Sequence, residues 1–350
     1  MRVDRALAVA RRSGADALLA SHPSTVAWLT GYAADVETGP SPFALSPLAL
    51  LADGARVLVV SEDEAEAAAA TGCEVVSYPG YGLGPVDPVA GAARALASVV
   101  EGRRVAAETG SLPAALADGI DAVDVTAALA AERAVKDRDE IERIRAAVAL
   151  CDAGQRAARE AAREGATELE VWAATRAAIE REAGGRVPLL ADLVSGPRTA
   201  DVGGPPGGRE LRRGDLVLVD LVPRRDGYWG DSCATLTVGD PDDGARARHR
   251  VAQEALARGV DAVRPGVLAG ELDALVRTGL DYPHHTGHGL GTAWHEQPRI
   301  VPGAETALEA GMVVALEPGS YGDGRGVRVE QVLLVTADGC EVLSGHDLSL

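Results

Sequence analysis

The hydrophobic and polar positions in the first third of the chain alternate between helical and strand-like patterns. Residues 2–13 carry apolar side chains at helical spacing, and residues 17–20 form a short apolar run typical of a buried strand. Two further apolar runs, at 48–51 and 57–60, flank the turn sequence Ala52-Asp53-Gly54-Ala55 and predict a β-hairpin. Helical and strand patterns that alternate in this way predict a small α/β domain with a mixed sheet.

A charged stretch at residues 132–140 separates this part of the chain from a second pattern. A long helix follows, with Ile141, Ile144 and Val148 on one stripe. The sequence Thr167-Glu168-Leu169-Glu170 is a capping box that predicts the start of the next helix. Beyond it the pattern predicts strands at 187–194, 216–222, 228–238, 312–316 and 327–336, and helices at 245–263 and 268–278. Separated runs of this kind predict an α+β fold, and we place the two domains at 1–132 and 133–350.

Four acidic residues lie within or directly after apolar strands. Asp220 and Glu317 each follow a run of four apolar residues, whereas Asp231 and Glu330 lie inside predicted strands. A buried carboxylate is costly unless it is paired, hydrogen-bonded or bound to a metal. The four positions therefore indicate a common site. The alternative is that each acid faces water at a sheet edge or in a turn.

Four of the seven histidines lie between His284 and His295, in a segment rich in glycine. The segment lacks helical patterning, and imidazoles both bind transition metals and transfer protons near neutral pH. We interpret it as a functional site that includes His288, which glycines flank, with a polar loop facing water as the alternative. The isolated histidines are expected to face water: His22, His249 and His346.

The kinds of ligand constrain the metal. Four carboxylates and one imidazole, without a thiolate, suit a pair of divalent ions such as Mn, Co, Fe or Zn. A structural zinc site would instead use cysteines or several histidines. Two ions about 3.5–4 Å apart can share and acidify a water molecule, which predicts hydrolysis of a carbonyl compound. His284 and His295 would then hydrogen-bond the oxyanion or the leaving nitrogen.

Several motifs together resemble the ligand signature of the pita-bread (M24) metallopeptidases. They are Asp220 and Asp231, eleven residues apart, His284-x-x-x-His288-Gly-Leu-Gly, His295-Glu296, Glu317-Pro318-Gly319 and Arg328-Val329-Glu330. The resemblance runs from about residue 137 to the C-terminus, and Trp28-Leu29-Thr30-Gly31-Tyr32 resembles the creatinase-type N-terminal domain. It implies a C-terminal pita-bread (creatinase/aminopeptidase) domain preceded by a smaller α/β domain, as in the Xaa-Pro dipeptidase and aminopeptidase P branch.

The same resemblance implies the cofactor and the reaction. Two divalent ions, with Mn favoured over Co, Zn or Fe, would be held by Asp220, Asp231, His288, Glu317 and Glu330. A hydroxide that bridges the ions would attack the scissile carbonyl of an Xaa-Pro-type bond in a short peptide, with Glu317 as general base. Family analogy also implies a homodimer.

The remaining residues carried over from the family contact the substrate or orient a ligand. His284 and His295 would act as catalytic residues that bind substrate and stabilise charge. Tyr321 would line the substrate site, and Arg328, also a substrate-binding residue, would orient Glu330.

Three segments depart from the family pattern without changing a metal ligand. The family usually carries another substrate-facing histidine after Ser-Gly-Pro, where this chain has Gly203. The familiar Asp-x-Thr-Arg-Thr reads Asp231-Ser232-Cys233-Ala234-Thr235, and Glu330 is followed by Gln331. These changes leave a second hypothesis open, a specialised amide or C–N bond hydrolase acting on a small non-peptide substrate. A non-catalytic binding protein on the same fold is disfavoured, because no ligand is lost.

Charge and composition argue against other classes of protein. The net charge is −18 and Lys136 is the only lysine, so the sequence lacks the basic face that nucleic acid requires. No stretch approaches the ~20 continuous apolar residues of a membrane helix. The N-terminus carries no secretion signal and the four cysteines form no CxxC pair, which predicts free thiols in a cytoplasmic protein.

Overall fold

The computed structural model describes residues 2–34 and 41–350, and the chain divides into two compact units, Met1–Arg133 and Ala134–Leu350. The domain boundary predicted between residues 132 and 133 stays a prediction. None of the helices in these two ranges is long and apolar enough to cross a membrane.

The first unit contains a single mixed sheet with helices around it. Its strands are β1 (Ala17–Ala20), β2 (Leu48–Ala52), β3 (Ala55–Ser61), β4 (Glu74–Tyr78), β5 (Val105–Ala107) and β6 (Ala122–Asp124). They lie in the order β4-β3-β2-β1-β5-β6. Its helices are α1 (Arg2–Arg12), α2 (Pro23–Thr30), a 3-10 turn (Glu62–Glu64), α3 (Ala65–Ala69), α4 (Pro88–Val100), α5 (Ala114–Ala117) and α6 (Thr126–Ala134).

The pairing of these strands confirms the predicted hairpin. β2 and β3 are antiparallel, with Ala52 opposite Ala55 at the turn. β1 is antiparallel to β2 but parallel to β5, so the sheet is mixed. All four residues of β1 are buried, because the alternating side chains of Leu18 and Leu19 enter two separate hydrophobic cores.

The second unit combines three sheets with four long or medium helices. Its strands are β7 (Leu189–Ser195), β8 (Leu216–Arg225), β9 (Tyr228–Trp229), β10 (Ser232–Thr237), β11 (Gly287–Gly289), β12 (Glu296–Ile300), β13 (Val313–Leu316), β14 (Gly319–Gly322), β15 (Arg325–Arg328), β16 (Gln331–Val335) and β17 (Cys340–Val342). Its helices are α7 (Arg138–Ala161), α8 (Glu168–Ala183), a 3-10 turn (Gly196–Ala200), α9 (Asp243–Ala262) and α10 (Ala269–Val276).

The sheets of the second unit are β10-β8-β7 with β9 paired to β8, β12-β11-β13-β16-β17, and β14-β15. Leu150 of α7 and Ile179 of α8 share a core with Val219 of β8. Leu272 of α10 lies in a second core with Leu333 of β16. The apolar stripes of the helices thus cover the sheets, which fixes the strands that carry the predicted ligands.

Helix α8 begins where its sequence predicted, and a glycine caps its end. The Thr167 side chain accepts a hydrogen bond from the amide of Glu170, and the Glu170 carboxylate accepts one from the amide of Thr167 at 2.7 Å. The helix ends at Gly184, whose φ of 77° is the left-handed conformation that glycine adopts without steric cost.

The predicted strands 228–238 and 327–336 are each divided in two, which corrects the sequence pattern. Asp231 lies between β9 and β10, and Glu330 lies between β15 and β16. At the second break the chain changes its pairing partner, since β15 pairs with β14 and β16 pairs with β13, whereas β9 and β10 both pair with β8. The amide of Glu330 donates a hydrogen bond to the carbonyl oxygen of Cys233 in β10 at 2.9 Å. This bond links the segment between β15 and β16 to the sheet that contains β8 and β10.

Candidate metal centre and substrate cavity

The second unit contains a cavity of about 370 Å³ into which all five predicted metal ligands face. The predicted histidines and Arg328 also line it, as do several residues that the sequence patterns did not single out. The full lining is Leu190, Ala191, Asp192, Val202, Asp220, Val222, Asp231, His284, His285, His288, Trp294, His295, Glu317, Arg328 and Glu330. Residues up to 140 positions apart in sequence therefore meet in one place.

Strands of the second unit and the short links between them place the ligands. Asp220 lies within β8, His288 is the central residue of β11, and Glu317 directly follows β13. Gly287 and Gly289 allow β11 to approach its neighbours, since a Cβ at residue 287 would lie 2.1 Å from the carbonyl oxygen of Ala315. A Cβ at residue 289 would lie 2.0 Å from a carbonyl oxygen of β12. The glycines around His288 are thus required for close packing of the strands.

Three of the predicted ligands form a compact group. Ligand atoms of Asp231, His288 and Glu330 all lie within 4.8 Å of one another. His288 Nε2 lies 3.5 Å from Asp231 Oδ2 and 3.6 Å from Glu317 Oε1. The other ring nitrogen, Nδ1, lies 3.0 Å from the carbonyl oxygen of Gly289 and donates to it. That hydrogen bond leaves the lone pair on Nε2 directed at the carboxylates, as metal ligation requires.

Burial dominates the electrostatics of the acidic ligands. It raises the pKa of Asp231 and of Glu330 well above the usual range, and neighbouring carboxylates raise the pKa of both further. Burial also raises the pKa of Asp220 to about 6, although Arg328 opposes the shift. For Glu317 burial is outweighed by a hydrogen bond from His285 and by the charge of Arg328, which lower its pKa to about 2. Asp220, Asp231 and Glu330 therefore favour the protonated form unless cations lie close to them.

The donor set fits a pair of divalent ions. Glu330 is 1 % exposed, and within the described ranges its Oε1 accepts no hydrogen bond. A buried carboxylate oxygen without a partner is costly, and a cation would satisfy it. Four carboxylates and one imidazole are the ligands that Mn, Co or Fe prefer.

His284 contacts the predicted site-lining tyrosine. Its Nδ1 donates to the carbonyl oxygen of His285 at 2.8 Å, so that Nε2 accepts from the Tyr321 hydroxyl at 3.0 Å. Its Nδ1 also lies 3.9 Å from Glu317 Oε2. Burial lowers the pKa of His284 to about 4, which keeps the ring neutral at physiological pH.

His285 is a site residue that the sequence patterns did not identify. Its Nε2 lies 2.7 Å from Glu317 Oε1, and its ligand atoms lie within 4.8 Å of those of His288 and His295. The sequence indicated His285 only through its place in the histidine cluster, because the family motif His-x-x-x-His fits His284 and His288 instead. His295 lies with its ring centroid 4.0 Å from that of His288, and burial with both neighbouring imidazoles lowers its pKa to about 3.

Arg328 binds a different carboxylate from the one that the family resemblance suggested. Its guanidinium donates to Asp220 Oδ2 at 2.5 Å and to the carbonyl oxygen of Val202 at 2.7 Å, and its Nε lies 3.8 Å from Glu317 Oε2. The arginine therefore orients Asp220 rather than Glu330. Burial raises the pKa of the nearby Cys233 thiol, which makes it a packed, unreactive group.

A buried group of carboxylates and imidazoles on this α+β fold is typical of metal-binding hydrolases. Residues 142–337 match the model of metallopeptidase family M24, and residues 2–146 match the Creatinase/Prolidase N-terminal domain. The chain belongs to metallopeptidase family M24, and it has the pita-bread fold preceded by a creatinase-type domain.

Named relatives are similar to this chain over part of their length. It is 38% identical over 237 residues to the probable dipeptidase PepE of Mycobacterium bovis, a match that covers 65% of this chain and 63% of the relative. It is 35% identical over 226 residues to the Xaa-Pro dipeptidase of Pyrococcus furiosus, covering 62% and 65%. The crystal structure of dipeptidase PepE from Mycobacterium ulcerans superposes with a TM-score of 0.79 at 32% identity, covering 100% of this chain and 96% of that one. The matched segments thus span less than two thirds of the curated relatives.

Proposed function

We propose that this chain is a dinuclear metal-dependent peptidase that hydrolyses Xaa-Pro-type bonds in short peptides. The observation that carries the proposal is that all five predicted ligands line one cavity. Among the described residues, the buried Oε1 of Glu330 accepts no hydrogen bond, and a cation would satisfy it. The similarity to an Xaa-Pro dipeptidase and to PepE dipeptidases supports the substrate class. The cavity volume of about 370 Å³ suits a small molecule or a short peptide.

The ligand residues would hold the ions in two overlapping sets. Asp220 would bind one ion, His288 and Glu317 the other, and Asp231 and Glu330 would be shared between them. When bound, two divalent ions supply the Lewis acidity that activates water and polarises a carbonyl, and we favour Mn over Co, Zn or Fe.

The side chains around the ligands move protons and position the peptide. Glu317 has a low pKa and is ionised at neutral pH, so it is able to accept a proton from attacking water. His295 is neutral, which allows its ring to donate one hydrogen bond to the substrate oxygen or the leaving nitrogen. The single N–H of neutral His284 is donated to the His285 carbonyl, so His284 would line the substrate site and contact the substrate without donating to it. Tyr321 holds His284 in place.

A panel of dipeptides tests this function. Protein loaded with Mn should cleave alanyl-proline and glycyl-proline much faster than alanyl-alanine, and chelation should abolish the cleavage. Asp231→Ala should lower kcat/KM by orders of magnitude, because it removes a shared ligand. Absence of proline-dependent cleavage across the panel would contradict the proposed substrate class.

The second candidate function is hydrolysis of an amide or C–N bond in a small non-peptide substrate. Gly203 favours it, since this position lacks the substrate-facing imidazole that the family usually carries. Metal-dependent hydrolysis of small amides, together with inactivity on the dipeptide panel, would support this alternative.

A further inference from the structure

An additional carboxylate lies beside the metal ligands. Asp192 in β7 is directly opposite Asp220 in β8, and both residues line the cavity. Like charges directly opposite each other on neighbouring antiparallel strands repel, so this pair is unfavourable unless a positive group is close. Arg328 supplies that group for Asp220.

Asp192 has no such partner in the part of the chain that the structure describes. No described hydrogen bond or ion pair involves its carboxylate, and the cavity that it lines also contains the apolar side chains of Leu190, Val202 and Val222. A half-buried carboxylate that lacks a positive partner attracts a cationic group strongly, because little water competes with it.

The same carboxylate occupies the space of the missing imidazole. A Cβ at Gly203 would lie 1.8 Å from Asp192 Oδ2 and 2.4 Å from its Cγ, so any side chain at residue 203 would displace the acid. The two positions are therefore coupled: with glycine at 203, an acid reaches the substrate cavity where the family usually places a histidine. At this side of the cavity the family usually presents an imidazole, whereas this chain presents the carboxylate of Asp192.

We propose that Asp192 binds a protonated amine of the substrate. This inference rests on the proposed function, and it assigns the substrates as short peptides or amides that carry a cationic nitrogen close to the scissile bond. The α-ammonium group of an unblocked peptide is the simplest source, and a lysine-type side chain is the other.

Kinetics with matched substrates test the assignment. Alanyl-proline and propionyl-proline differ only in the amine, and the wild-type protein loaded with Mn should prefer alanyl-proline in kcat/KM. In Asp192→Asn that preference should fall about tenfold, because the amide keeps the shape of the side chain but loses its charge. Asp201→Asn removes the charge of an exposed residue outside the cavity lining and should leave the preference unchanged.

Lysyl-proline and norleucyl-proline identify the source of the amine. If Asp192 binds the α-ammonium, Asp192→Asn lowers kcat/KM for both substrates equally. If it binds a side-chain amine, only lysyl-proline is affected. A variant whose substrate preferences all match those of the wild type would overturn the inference.

Two readouts do not depend on turnover, so they separate this inference from the proposed function. In calorimetry the wild-type protein loaded with Mn should bind L-alanine about tenfold more tightly than propionate, and Asp192→Asn should bind both equally. Equal binding by the wild-type protein would overturn the inference whether or not any peptide is cleaved. The metal content of Asp192→Asn should equal that of the wild type. Loss of an ion would instead make Asp192 a metal ligand and refute its role toward the amine.

Discussion

His285 fixes one oxygen of the proposed general base. Its Nε2 lies 2.7 Å from Glu317 Oε1, while the other oxygen, Oε2, lies 3.8 Å from Arg328 Nε. The carboxylate is thus held from two sides, and its pKa is lowered to about 2. Groups that hold a ligand in this way tune metal affinity without binding the metal themselves.

We expect His285→Ala to weaken Mn binding about 10-fold to 100-fold, because Glu317 loses its short hydrogen bond and gains freedom to rotate. His285→Gln keeps a donor at this position and should retain most of the affinity. Titration calorimetry with Mn measures both variants. An Mn affinity of His285→Ala equal to that of the wild type would show that His285 does not position Glu317.

The burial of acidic residues could be predicted from the sequence, whereas the burial of isolated histidines could not. The acidic ligands were predictable because each lies within or directly after an apolar strand pattern. His249 and His346 were expected to face water, and that expectation is wrong. His249 Nε2 lies 2.6 Å from the carbonyl oxygen of Leu348 on the buried side of α9, and the His346 side chain is 1 % exposed. An isolated histidine carries no signal of the distant segment that covers it.

At the scale of secondary structure, short strands position the ligands. Glycines in β11 set how closely this strand packs against its neighbours. A Cβ on Gly287 would lie 2.1 Å from the carbonyl oxygen of Ala315 in β13. That carbonyl belongs to the strand that leads into Glu317. The spacing of β11 and β13 therefore fixes the distance between His288 and Glu317.

We predict that Gly287→Ala separates β11 from β13, lowers the melting temperature and reduces Mn affinity. An added methyl group in a packed interior typically costs about 1–3 kcal/mol. Gly339→Ala is the matched control, because a Cβ there meets no atom within 4 Å. Thermal unfolding followed by circular dichroism compares the two variants. A Gly287→Ala variant as stable as Gly339→Ala would contradict this view of β11.

A buried ion pair ties the start of the second unit to β12. Lys136 Nζ donates to Glu296 Oε1 at 2.5 Å, and the two side chains are 1 % and 3 % exposed. We expect Lys136→Met to destabilise the protein by about 3–5 kcal/mol, because it removes the cation from a buried carboxylate. Arg213→Met breaks the exposed pair with Asp240 and should cost less than about 1 kcal/mol. Urea unfolding measures both, and equal losses would contradict the expectation.

The hydrophobic pattern predicted the helices and the hairpin better than it predicted strand breaks. The strand pattern continues through Asp231 and Glu330, since apolar residues alternate on both sides of each acid. The break at Glu330 arises from a change of pairing partner, a tertiary event that local periodicity does not encode, whereas the strands on either side of Asp231 both pair with β8. For the same reason the contact of Arg328 with Asp220, and that of Asp192 with Gly203, required the structure.

For the whole molecule, the acidic cluster links metal binding to stability. Burial raises the pKa of Asp220 to about 6, and it also raises the pKa values of Asp231 and Glu330 well above the usual range. A carboxyl whose pKa is higher in the folded state stabilises the fold at low pH and loses that contribution as the pH rises through the folded pKa. Divalent ions reverse the balance, because they bind the ionised carboxylates of the folded state alone.

We therefore predict that chelation lowers the melting temperature, and that the difference between loaded and chelated protein widens from pH 5 to pH 8. Differential scanning calorimetry with saturating Mn and with a chelator measures this difference. Glu330→Gln should show a smaller widening, since one titrating ligand is gone. A difference that stays constant over this pH range would show that the buried carboxylates do not couple stability to the metal.

The homodimer and the cytoplasmic location expected from the sequence stay predictions at this scale. The net charge of −18 favours partners other than nucleic acid. Sedimentation of the purified chain, with and without Mn, measures its oligomeric state directly.

Metal analysis of the wild-type protein and of Glu330→Ala, after saturation with Mn and removal of the excess, tests the dinuclear centre most directly. We predict about two ions per chain in the wild type. In Glu330→Ala we predict fewer ions and a loss of dipeptide cleavage by orders of magnitude, with the circular dichroism spectrum retained. A Glu330→Ala variant that keeps two ions and near-normal turnover would contradict the dinuclear mechanism.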